Sequence, residues 1–172
     1  GYAVRAAEAT GGAVLRLAGQ SRAGERFEGS LPRGAAVRIF TGAPVPEGAD
    51  AVLIATPEYN ASIPGVLKNA LDWVSRPVAT NPLRNKPAAV VGASTGAFGA
   101  VWAQAELRKV LSTIGARTLP NEVSCRQAAE RFDENGRLVD EDVRDGLAET
   151  VAALAEAVRA REEAQAAVPF AA

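Results

Sequence analysis

Apolar positions along this chain follow two different rhythms, and the change falls near residue 50. Before it, short alternating runs are broken by glycine, proline and arginine. Ala13 to Ala18 (AVLRLA) and Ala36 to Phe40 (AVRIF) read as short strands, with turns at Gly24, Gly29, Pro32 and Gly34 between them. The single helical candidate there is a short one near Tyr2 to Ala9. After Asp50 the runs become continuous and alternate with helical periodicity. Ala51 to Thr56 (AVLIAT) and Pro87 to Gly92 (PAAVVG) are the apolar runs expected of parallel strands buried on both faces.

The helices follow from spacing and punctuation. Ser62 or Ile63 is placed to cap a helix with Pro64 in its first turn, Val66, Leu67, Ala70, Leu71 and Val74 on one face, and Pro77 as its stop. A second helix is expected from Val101 to Ile114, with Trp102, Ala105, Val110, Leu111 and Ile114 inward and Gly115 as C-terminal cap. Ala116 to Leu119 is a weaker strand. Asp140-Glu141-Asp142 suits the positive end of a last helix, whose Val143, Leu147, Val151, Leu154 and Val158 recur every three or four residues. The order strand, helix, strand, helix, strand, helix predicts an α/β fold, a parallel sheet with helices on both faces. Ligands in such sheets bind at the carboxyl ends of the strands, which singles out the loops Pro57 to Ser62 and Ala93 to Gly99.

Composition narrows the chemistry. With 172 residues, 48% of them hydrophobic and 23% charged, the chain suits one soluble domain with a real core. A formal charge of −1 gives no footprint for nucleic acid or an anionic membrane, and no apolar run is long enough to span a bilayer. There is no histidine, which removes imidazole relays and His-ligated metals, and the lone Cys125 makes neither an internal disulfide nor a metal motif. A reducing, cytoplasmic setting is expected. There is also no methionine and the chain opens at Gly1, so it is expected to begin inside something longer or to have been built that way.

The string from Ala49 through Pro57-Glu58-Tyr59-Asn60, Ser62-Ile63-Pro64-Gly65 and Leu67-Lys68-Asn69-Ala70 to Asp72-Trp73 resembles the NADPH-dependent FMN reductase family. So do Lys86 to Gly96 and the helix near Val101, and the resemblance extends over about residues 49–158. It implies a flavodoxin-like fold, FMN as cofactor, and NADPH or NADH as hydride donor to a small-molecule electron acceptor. It also implies a flavin edge bordered by Pro57, Glu58, Tyr59 and Asn60 on one side and by Ser94, Thr95 and Gly96 on another. Such a site needs backbone N–H and C=O groups aimed at the ring and one open face for nicotinamide, at roughly 3–3.5 Å. Hydride passes directly between the two rings, so no catalytic side chain and no metal are expected. Trp73 and Trp102 suit core or subunit contacts better than flavin stacking.

The same family opens with a strand and a Gly-Ser-rich loop leading into a helix that holds the FMN phosphate. No such pattern precedes Ala51, where Gly11-Gly12 and Gly19-Gln20-Ser21 are the nearest glycine features. The front instead resembles molybdopterin molybdenumtransferase over about residues 1–52, through Gly1-Tyr2-Ala3-Val4-Arg5 and Arg38-Ile39-Phe40-Thr41-Gly42-Ala43-Pro44-Val45-Pro46-Glu47-Gly48-Ala49-Asp50. In that family the position of Thr41 lies near the substrate. Both families share Ala-Asp-Ala-Val, so Ala49 to Val52 reads as the splice of a chimaera. The expected organisation is a β-rich segment at 1–50, an incomplete flavodoxin-like segment at 51–165, and a frayed tail at 166–172. With its first neighbour missing, the strand Ala51 to Thr56 is expected to pair with Ala36 to Phe40 or with a second chain, giving a homo-oligomer. Besides a reductase, the sequence leaves open an inactive scaffold and a molybdopterin-binding fragment.

Overall fold

A computed structural model describes residues 2–5, 8, 14–22, 25, 27–39 and 49–167. Its strands are β1 (Tyr2–Val4), β2 (Arg16–Ser21), β3 (Ala35–Ile39), β4 (Val52–Thr56), β5 (Pro87–Ala93), β6 (Arg117–Thr118) and β7 (Ser124–Cys125). The α-helices are α1 (Gly65–Val74), α2 (Val101–Thr113) and α3 (Glu141–Ala166). One seven-stranded sheet runs through both sequence segments in the order β2-β3-β1-β4-β5-β6, with β7 also on β5. The back half is parallel, as the buried apolar runs require: Val52 to Thr56 lie beside Ala88 to Gly92, and β5 goes on to β6 and β7. This is a flavodoxin-like α/β arrangement with its leading elements absent among the described residues.

Alternation along β4 and β5 divides the core. Val52, Ala88 and Val90 face α1 and α2, where Leu71, Leu107 and Leu111 pack on them. Ala51 and Ala89 face the other way, toward Leu154 and Val158 of α3. Asp140 caps α3 through its side chain, accepting from the Val143 N–H at 2.9 Å, with Glu141 and Asp142 in the first turn. That acidic start sits against the positive end of the helix dipole, as its sequence predicts.

Several expectations are corrected. Tyr2 to Val4 is a strand and not the start of a short helix. It is this strand that lies beside β4, pairing antiparallel at Tyr2↔Leu53, while β3 stands one place further out with Val4 opposite Ala36. The three residues of β1 alternate exposed and buried and reach across between two partners, which a helical reading of the alanines overlooks. On α1 the cap is Pro64 itself, and Val66 is 69% exposed because the inward face is Leu67, Ala70, Leu71 and Val74. On α2 the buried stripe is Ala103, Gln104, Leu107 and Leu111, so Trp102 and Ala105 turn outward. The amide of Gln104 takes a core position that hydrophobic spacing alone assigns to its neighbours. The helix α3 continues through Ala166, and residues 168–172 lie outside the described part, as do Gly11, Gly12, Gly24 and Thr41.

Candidate functional site

The two loops singled out leave the adjacent ends of β4 and β5, where Thr56 lies opposite Gly92, and the first is bonded to the helix that follows the second. β4 runs into Pro57, and its last residue, Thr56, is buried with its hydroxyl donating to the Pro57 carbonyl at 2.8 Å. Tyr59 and Ser62 then exchange backbone hydrogen bonds at 3.0 and 3.1 Å, closing a tight turn. Asn60 and Ala61 at its tip have φ of 53° and 58°, the left-handed region that side chains disfavour. Tyr59 is 63% exposed, and Asn60 and Ala61 are exposed with it.

Glu58 faces away from the tip. Its Oε2 accepts from the N–H groups of Trp102 and Ala103, at 2.9 and 3.0 Å, on the other loop's helix. Helix α2 has no side-chain cap of its own, since Ala100 occupies that position. A carboxylate from 44 residues upstream therefore serves as its cap and meets the helix dipole. Ser62 makes a second link, donating to Glu106 Oε2 at 2.5 Å.

The loop after β5 is held from beneath. Ser94 Oγ accepts from the Gly96 N–H at 3.1 Å, and the carbonyls of Ser94 and Gly96 accept from Ala128 and Gln127. Thr95 and Gly96 are exposed. Gly92 lies so close beneath α2 that an added Cβ would stand 2.8 Å from Gln104 Nε2 and 2.9 Å from Ala100 Cβ. Gly99 has φ of 60° and comes equally near the backbone of Ser124, so only glycine serves there. Phe98 and Trp102 stack at 4.8 Å between centroids, both well exposed, beside the loop.

Below these loops, on the α3 side, is an apolar cleft of about 360 Å³. Ala55, Val91, Phe132, Leu138, Val143 and Leu147 form much of its wall, with Thr56 and Cys125 among the few polar atoms. Burial, with Asp140 nearby, pushes the Cys125 thiol above its usual value, partly offset by Arg131. A thiol raised in this way is a weak nucleophile at neutral pH. Among the described residues, no group of three or more acidic or Cys side chains could hold a metal ion, and no helix is long and apolar enough to cross a membrane.

The sequence-predicted residues thus fall into two sets. Pro57, Tyr59, Asn60, Thr95 and Gly96 are exposed at the strand ends. Glu58 and Ser94 are half-buried, the first holding α2 and the second the Gly96 amide. Sequence reasoning missed Glu106, Gln104 and Gly92, which act across long separations and carry no local signal. Among the described residues, N-terminal amides of α2 are taken by Glu58 and one of α3 by Asp140, whereas α1 has no side-chain cap.

Comparison with known proteins finds two families along the chain. Residues 46–130 match the family model described as NADPH-dependent FMN reductase, and residues 1–72 match the MoeA N-terminal region (domain I and II). The two matches overlap across residues 46–72, which include the shared Ala49 to Val52. An NAD(P)H-dependent FMN reductase of Pseudomonas aeruginosa is 48% identical over 107 residues, 62% of this chain and 57% of the relative. A 2-hydroxy-1,4-benzoquinone reductase of a Burkholderia species is 46% identical over 97 residues, 56% of this chain and 53% of the relative. The solved structure of FerB, a flavoenzyme NAD(P)H:(acceptor) oxidoreductase from Paracoccus denitrificans, aligns with a TM-score of 0.57 at 39% identity. It covers 65% of this chain and 62% of its own. The chain spans little more than half the length of the curated relatives it matches.

Proposed function

We propose, from the match of residues 46–130 to the NADPH-dependent FMN reductase family model, that the chain binds FMN at the carboxyl ends of β4 and β5 and works as an NAD(P)H-dependent reductase. The observation that carries this reading is the pair of exposed loops, Tyr59-Asn60 and Thr95-Gly96, that leave the adjacent ends of parallel β4 and β5, where an α/β sheet takes its ligand. The unit that does this is 51–165, with 1–50 as an appended β-rich segment.

The residues that would hold the ring are Pro57, Glu58, Tyr59 and Asn60 on one side and Ser94, Thr95 and Gly96 on the other. Bound FMN would supply the redox chemistry, taking hydride from NADPH or NADH and passing electrons to a small acceptor such as a quinone or free flavin. The chain's own part is placement. The turn at Asn60-Ala61 presents an exposed tip, and Ser94 Oγ, accepting from the Gly96 N–H, fixes the shape of the second loop. Glu58 does its work through α2, so its contribution to the ring is made by its backbone. Among the described residues no strand–loop–helix unit precedes β4 to cradle the phosphate, and this sets the affinity. Charge-assisted hydrogen bonds contribute about 1.5–3 kcal/mol each, so the loss of two weakens binding by orders of magnitude.

The test is a titration with FMN followed by flavin fluorescence, then anaerobic addition of NADPH. Saturable binding, with bleaching of the visible flavin bands faster than NADPH acts on free FMN, supports the reading. Absence of binding at high micromolar FMN overturns it, and the chain is then a scaffold that keeps the family's loops without their use. Sizing the same sample by light scattering tests whether it is a homo-oligomer.

A further inference from the structure

Glu106 belongs to none of the motifs that mark the candidate site, yet it holds one end of the turn at the centre of it. The turn Tyr59 to Ser62 places two consecutive non-glycine residues in the left-handed region, with φ of 53° at Asn60 and 58° at Ala61. Such a backbone persists only where its surroundings over-determine it. The reciprocal Tyr59–Ser62 backbone bonds close the turn on itself, but they do not fix which way its tip points. Two carboxylate links do. Glu58 Oε2 takes the amides of Trp102 and Ala103, and Ser62 Oγ donates to Glu106 Oε2 at 2.5 Å.

Glu58 holds the backbone amides at the N-terminal end of α2, and Glu106 lies about one turn further along the same helix. The loop is therefore fastened at both ends to the start of one helix. A single fastening would leave the loop free to pivot about Glu58. The hydroxyl-to-carboxylate bond is of the short, charge-assisted kind, and it is half-buried at both ends. It leaves Tyr59 and Asn60 exposed.

We infer that Glu106 is a positioning residue: through Ser62 it sets the direction of the Tyr59-Asn60 tip and so the geometry in which that tip meets a planar ring. This rests on the flavin reading for its consequence, though not for the tether itself. Gln at 106 keeps an oxygen that accepts from Ser62, whereas Ala removes it. The comparison of Glu106→Ala with Glu106→Gln therefore separates the hydrogen bond from the charge.

The first readout is amide hydrogen exchange at Tyr59 and Ser62, whose N–H groups close the turn and report its opening without any flavin present. The second is the FMN dissociation constant from the fluorescence titration. Glu106→Ala is expected to speed exchange at those two amides by about tenfold, leave β5 unchanged, and weaken FMN binding by about tenfold. Glu106→Gln, which keeps the acceptor without the charge, is expected to fall between the parent and Glu106→Ala on both readouts, and Ser62→Ala to reproduce Glu106→Ala from the other side of the bond. Unchanged exchange in Glu106→Ala overturns the tether, as does a Glu106→Gln that fails as badly as Ala. A harmless Ser62→Ala overturns it too, and this variant keeps the test open should Glu106→Ala misfold. If the parent binds no FMN, the flavin reading falls alone, and the exchange data still decide whether Glu106 holds the turn.

Discussion

The two faces of β4 and β5 carry similar side chains and meet very different company. Toward α1 and α2, the core joins Val52, Ile63, Leu71, Leu83, Val90, Leu107 and Leu111 with the small alanines that let α2 approach. Toward α3, the buried cluster is Ala51, Ala89, Leu154 and Val158, and at the strand ends it gives way to the apolar cleft. One helix covers a face that two helices cover on the other side. Toward α1 and α2 the packing is dense, and toward α3 it is a smaller cluster beside an open cleft. The contrast teaches that the segment carries a core on both faces, the larger under α1 and α2.

Substitutions on the dense face should break this comparison most strongly. Leu111 and Leu107 are fully buried in α2, and truncating either to alanine is expected to cost about 2–5 kcal/mol in urea unfolding. A loss below 1 kcal/mol at both would mean the two faces are equally loose. The cap of α3 is next. Asp140 accepts from Val143 N–H and pairs with Arg131 at 2.7 Å. Asp140→Ala should cost about 1–2 kcal/mol, read from the same urea midpoints, with Asp140→Asn recovering most of it as a competent cap. Leu147, on the wall of the cleft, should matter less. Its side chain already borders open space, so Leu147→Ala is expected to cost about 1 kcal/mol or less by the same measurement. A loss as large as that of Leu111→Ala would show that the cleft closes in solution.

The same contrast explains what the sequence made legible. Buried strands read clearly because AVLIAT and AAVVG are apolar on both faces, and α3 read clearly because Asp140 and its acidic neighbours mark its start. The strand β1 did not, because three residues hold too little periodicity to separate strand from helix, and its role comes from a partner at Leu53. The inward face of α2 was displaced because Gln104, a polar residue, is fully buried with its amide donating to Ser124 at 2.8 Å. In the candidate site, the loops themselves were legible from the strand ends and the family string. The tethers were not. Glu58 to Trp102 and Ser62 to Glu106 each span 44 residues, and no local pattern records a contact at that distance.

Where apolar packing under α3 is thin, polar links at the opposite end of the sheet hold the face together, and they give the smallest and most specific prediction. Lys86 Nζ donates to the carbonyl of Ala49, and Arg161 of α3 donates to the carbonyl of Asp50 at 3.3 Å. Burial, with Arg161 close by, lowers the pKa of Lys86 below its ordinary 10.5, and Asp50 opposes this in part. In the window between the lowered folded value and the higher unfolded one, the unfolded chain binds more protons. Stability contributed by this group therefore rises as pH climbs toward 10.5 and is reduced below the folded pKa, where a charged ammonium must be kept half-buried. Lys86→Met removes that titration. Urea midpoints taken from pH 7 to pH 10 should show a shallower rise, or a steeper fall, in the variant than in the parent. Parallel curves would mean that Lys86 stays solvated, and that α3 is held to β4 by Leu154 and Val158 rather than by the polar end of the sheet.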